Sequence, residues 1–113
     1  MIIEKIHPVG KRGSWLAEAP LFAGTETLPC IQSNFYTVKT QLWEQPVTER
    51  FLADRHRFDE LVNKLIETGK IILTIDSVDF ERLGYIAVFD AELVKYDDTG
   101  LTIKLIKRIA ECV

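Results

Sequence analysis

Between Asp54 and Gly69 the apolar residues Phe58, Leu61, Val62, Leu65 and Ile66 recur at helical spacing, while Arg57, Asp59, Glu60, Asn63, Lys64 and Glu67 fall elsewhere. A helix with a single apolar stripe has to lay that stripe on something flat, and the simplest flat partner is a sheet. Asp54 is placed to accept backbone N–H bonds in the first turn, and Gly69 can take the left-handed conformation that ends a helix. The spacing therefore predicts one helix over residues 54–68, packed on strands drawn from the rest of the chain.

Those strands are readable on both sides of the helix. From Phe35 to Trp43, Tyr36, Val38, Thr40 and Leu42 share one face and Phe35, Thr37, Lys39, Gln41 and Trp43 the other. Pro46 ends that strand, and residues 47–52 are expected as a shorter strand or a turn. Ile71 to Ile75 is an apolar run of buried-strand length. Tyr85 to Tyr96 alternates again, Asp97, Asp98, Thr99 and Gly100 supply a tight turn, and Leu101 to Ile109 returns with Leu101, Ile103 and Leu105 on one face. Residues 85–109 are thus predicted as a β-hairpin. The fold class that follows is α+β: an antiparallel sheet, or a small β-barrel or sandwich, with one amphipathic helix on it.

A chain of 113 residues, 47% hydrophobic and 27% charged, is sized and composed for one domain with one core, residues 1–113. The awkward part is residues 7–29, which hold three of the four prolines and three of the six glycines and yet carry Trp15, Leu16, Leu21 and Phe22. It is expected as an extended loop that covers an edge of the domain's own core, or as an arm that docks on a neighbouring subunit.

Few residues are grouped for chemistry. Fourteen basic against 17 acidic residues give a net charge of −3, no footprint for a nucleic-acid backbone. Asp76, Asp79 and Glu81 crowd three carboxylates together but lack the glycine and ligand periodicity of a calcium loop, so a solvated connection is expected. His7, beside Pro8, and His56, between Arg55 and Arg57, have no recognisable nucleophile motif beside them. Gly10, Lys11, Arg12, Gly13 and Ser14 lack the spacing and the strand-to-helix setting of a phosphate loop. Cys30 and Cys112 match no metal or redox spacing and are expected as free thiols. No segment has the length of a bilayer span or the pattern of a signal peptide, and a cytoplasmic location is expected. The sequence thus predicts no enzyme, cofactor, metal, small-molecule substrate, nucleic-acid partner or membrane partner. Protein contact is the remaining class, and Trp15, Leu16, Leu21, Phe22, Phe35 and Trp43 are the interface candidates, since aromatic and large apolar side chains anchor interfaces.

From Phe35 onward the order of elements, FYTVKTQLWEQPVTERF, DRHRFDELVNKLIETG, KIILTI and YIAVFDAELVKYDDTGLTIKLIKR, resembles the N-terminal hub domain of phage distal tail and minor tail proteins, over about two thirds of the chain. The resemblance implies a small β-barrel or sandwich flanked by a helix, and a homomeric ring with other tail proteins that joins the tail tube to the tip or baseplate of the virion. Such a protein is made in the cytoplasm of the bacterial host. The chain ends directly after the hairpin, where distal tail proteins often carry a further domain, which favours a short minor tail or tail-completion protein. Head-to-tail connectors and tail terminators are also small α+β ring formers. Two further readings are a monomeric inhibitor or binding module presenting Asp76 to Glu81, and a small enzyme using His7 or His56 with a carboxylate.

Overall fold

The computed structural model describes residues 3–10, 16–22, 24–74 and 85–112. In chain order these form β1 (Glu4–Ile6), β2 (Val9–Gly10), β3 (Leu16–Leu21), β4 (Gly24–Gln32), a 3-10 turn (Ser33–Phe35), β5 (Tyr36–Thr37), β6 (Leu42–Pro46), α1 (Glu49–Ala53), α2 (Arg55–Thr68), β7 (Lys70–Thr74), β8 (Tyr85–Asp97) and β9 (Gly100–Cys112). The strands make one nine-stranded sheet in the order β2-β3-β4-β7-β8-β9-β6-β5, with β1 added beside β9. The fold is α+β, and the sheet is not closed into a barrel.

Two pairings depart from the antiparallel expectation. β4 runs parallel to β7 (Cys30 opposite Ile72), and β1 runs parallel to β9 (Ile6 opposite Cys112). A parallel pair needs a long crossover, and the chain between β4 and β7 supplies one that contains β5, β6 and both helices.

Residues 7–29 are not the irregular stretch their prolines and glycines suggest. β3 and β4 pair from Leu16 opposite Pro29 to Leu21 opposite Gly24, so most of this segment is a hairpin belonging to the sheet. The prolines sit where they disturb it least. Pro20 lies beyond the two residues of β3 that β2 covers, and Pro29 marks the point where β4 passes from β3 to β7. Gly24, at φ 124°, makes the sharp return that a side chain would resist.

The helical segment also differs at both ends of its stripe. Asp54 makes no side-chain capping bond; its carbonyl oxygen accepts from the N–H groups of Arg57 and Phe58. The hydroxyl that does accept from a helix start is that of Thr48, from Phe51 N–H at 3.1 Å, because α1 already occupies residues expected as strand or turn. At the other end Ile66 is 66% exposed and lies outside the buried stripe, which is Phe58, Leu61, Val62 and Leu65. Gly69 closes α2 at φ 66°, its N–H donating to Leu65 O at 2.7 Å.

The two faces of the sheet are covered differently. α2 and Phe51 of α1 pack on Ile31, Trp43, Ile71, Leu73, Leu101, Ile103 and Leu105. On the opposite face Leu28, Ile72, Val88 and Ala110 are covered by Ile6 of β1 and by Ala17 and Ala19 of β3, so the N-terminal strands supply a second small core. The β8–β9 ladder reaches between these cores with three bulges. Ile109 is skipped between Val88–Ala110 and Phe89–Arg108, Ile106 between Asp90–Lys107 and Ala91–Leu105, and Val94 between Leu93–Ile103 and Lys95–Thr102. Each bulge adds local twist, and Val94 and Ile106 are left exposed.

Candidate assembly surfaces

The six residues expected at an interface separate sharply. Trp43 is only 3% exposed, its indole N–H donates to Gln32 O at 2.6 Å, and it is a core residue rather than a contact. Its edge faces the half-buried ring of Phe35, centroids 6.2 Å apart, so Phe35 is half spent on the same core. Leu16 and Leu21 are half-buried at the two ends of β3, Leu21 packing on the second core. Phe22 stands 73% exposed at the β3–β4 turn. Trp15 lies outside the described residues.

Phe22 is exposed for a local reason. Alternation along β3 turns Ala17 and Ala19 inward and Glu18 and Pro20 outward, and the turn carries Phe22 beyond the end of the inward row. Val9 of β2, also exposed, lies on the neighbouring outer strand. Exposed aromatic side chains on a rigid hairpin suit a contact with another protein, since they bring large apolar area at little entropic cost.

A second feature lies at the other end of the strand order. An open groove of about 430 Å³ is lined by Phe35, Tyr36 and Thr37, by Glu44 of β6, and by Lys95 and Thr102 of the β8–β9 hairpin. Its bottom is fixed by the β6–β9 ladder, in which Glu44 pairs with Thr102 and Pro46 with Gly100.

Among the described residues one group of polar side chains ties a helix to the hairpin. The Arg55 guanidinium lies over the rings of Phe51 and Tyr96, at 5.0 and 4.7 Å, and donates to the Tyr96 hydroxyl at 3.0 Å and to Asp98 at 3.3 Å. Tyr96 in turn donates to Asp59 of α2. The helix corner is thereby fastened to the hairpin turn. Burial, then the bond to Asp59, holds the Tyr96 phenol above its usual pKa.

His7 and His56 are both exposed. Asp76, Asp79, Glu81 and residues 11–14 lie outside the described residues. Among the described residues no group of three or more His, Cys, Asp or Glu side chains is arranged to hold a metal ion, and no helix is long and apolar enough to cross a membrane.

Cys30 and Cys112 are free thiols packed against the second core. They sit on β4 and β9, and both pack on that same core. Burial pushes the Cys30 thiol from 9.0 up to about 12, with Cys112 adding to the rise, and burial pushes Cys112 up to about 11 against the pull of Arg108. A raised thiol pKa means that the folded chain holds its protons more tightly than the unfolded one. The contribution to stability is therefore full below pH 9.0 and is lost as pH rises through 11 and 12. At pH 8 an aromatic disulfide reagent should modify both thiols far more slowly in the native protein than in urea, with Cys112 reacting first; fast native labelling of Cys30 would contradict this burial.

Of the groove's lining the sequence singled out Phe35 alone; the groove itself has no signature there, because its residues come from four separated segments and are individually ordinary. Comparison with protein-family models, with curated proteins and with solved structures finds no match to this chain.

Proposed function

We propose that this chain is a structural subunit of a phage or phage-like tail, assembling with copies of itself into a ring that joins the tail tube to the tip or baseplate, and carried in the virion after synthesis in the cytoplasm of the bacterial host. The observation that carries the assembly reading is an open sheet with an exposed phenylalanine on the hairpin at one end and a groove at the other. The place of the assembly in a tail rests on the order of elements from Phe35 onward. Among the described residues the outermost strands of the sheet path, β2 and β5, are two residues each and offer few backbone groups for run-on strand pairing. Contacts between subunits are therefore made by side chains, which can set a defined angle and so a closed number of copies.

The test is the mass of the purified protein by light scattering after size exclusion, over a wide concentration series. A single closed oligomer is expected, persisting on dilution until it falls to monomer. A monomer at every concentration would refute self-assembly.

A further inference from the structure

Building on that assembly reading, we infer that copies of the chain join head to tail, with Phe22 and the outer face of the β3–β4 hairpin of one copy seated in the groove between β5, β6 and the β8–β9 hairpin of the next. A ring of identical subunits requires two different patches on each subunit, because a patch that meets its own twin closes a pair and stops. The molecule has two such patches on different strands: the β3–β4 hairpin lies at one end of the strand order and the β6–β5 pair at the other.

Size fits. A phenylalanine and the turn beside it need a site at the small end of the usual range for pockets, and the groove holds about 430 Å³. Charge fits as well. Glu18 and Glu26 are the only charged residues from Leu16 to Gln32, and neither lysine nor arginine occurs there. Glu26 is 3.5 Å from Lys70 of its own chain, whereas Glu18, exposed on the same side of β3 as Pro20, has no ion pair among the described residues and is placed to meet a cation. Lys95 in the groove is that cation, and Glu44 on the same lining stands across β9 from it, each of the two pairing with Thr102 from opposite sides. An incoming acid is thus steered to the Lys95 side of the groove, which fixes the direction in which the hairpin lies.

Complementation between two damaged copies tests this. Phe22→Glu spoils the hairpin and keeps the groove; Thr102→Arg fills the groove and keeps the hairpin, with Thr37→Arg as an alternative from the groove's other lining if the first fails to fold. Circular dichroism establishes that each variant is folded. Each alone should sediment as a monomer at concentrations where the parent protein is a closed oligomer, and an equimolar mixture should form a one-to-one dimer that grows no further, since it has one intact contact. Phe22→Glu retaining the parent mass overturns the inference while leaving self-assembly standing, as does a mixture that stays monomeric when both variants are folded. A parent protein that is itself monomeric removes the assembly reading and this contact with it.

Discussion

Gly100→Ala is expected to lower the stability of the folded chain by about 2–5 kcal/mol, read as the shift in a urea unfolding curve. Gly100 has φ 140°, a backbone region that side chains resist, and a Cβ there would lie 2.6 Å from the carbonyl oxygen of Gln45. That oxygen belongs to β6, which pairs with β9 at Pro46–Gly100, so it cannot swing away without opening the ladder. Gly69→Ala is the natural comparison. It also has a positive φ, 66°, but nothing lies within 4 Å of the added carbon, and its loss should be about 1 kcal/mol. Equal losses at the two sites would show that the close approach to β6 contributes nothing.

Gly100 was legible as a turn residue and illegible as a packing residue. Asp97, Asp98, Thr99 and Gly100 announce a hairpin by themselves, because turn chemistry is local; Asp97 accepts from the N–H of Thr99 at 2.7 Å within that turn. That a strand some 55 positions earlier leans on the same glycine is a tertiary fact with no local signature. The same division runs through the chain. Phe58, Leu61, Val62 and Leu65 could be read as a buried stripe because one helix face meets one sheet face, whereas Ile66 shares their spacing but stays 66% exposed.

The N-terminal hairpin was hidden for the opposite reason. Its strands are marked by small residues, Ala17 and Ala19, whose alternation is weak in hydrophobicity, and its prolines read as breaks although Pro20 lies beyond the residues that β2 covers and Pro29 stands where β4 changes partner. The interface candidates separate for a similar reason. Trp43 and Phe22 are both large aromatics in the sequence, but one is claimed by the Gln32 carbonyl and the core and the other is left beyond the end of an inward row. Residue type identified what could make a contact; only the register of β3 with β4 showed which one was available.

Phe51 carries the largest unannounced share of the core, and Phe51→Ala should cost about 3–5 kcal/mol. It falls in a stretch whose Pro46 and short apolar spacing suggest strand or turn, yet Thr48 accepts the Phe51 N–H and begins a helical turn that drives the ring fully inside. There the ring lies 4.9 Å from that of Phe58 and meets Tyr96 edge-on, and it forms one of the two aromatic surfaces over which the Arg55 guanidinium is laid. Leu52, its neighbour in α1, is 59% exposed, so Leu52→Ala should change stability by no more than about 0.5 kcal/mol. The two substitutions differ in a second readout. Since burial is the largest cause of the raised Tyr96 pKa, opening the space beside its ring should lower that pKa towards the ordinary phenol value, followed by NMR of the Tyr96 ring through an alkaline titration. A Phe51→Ala protein as stable as Leu52→Ala, with Tyr96 titrating as in the parent, would mean that the helix corner is not fastened to the hairpin through this ring.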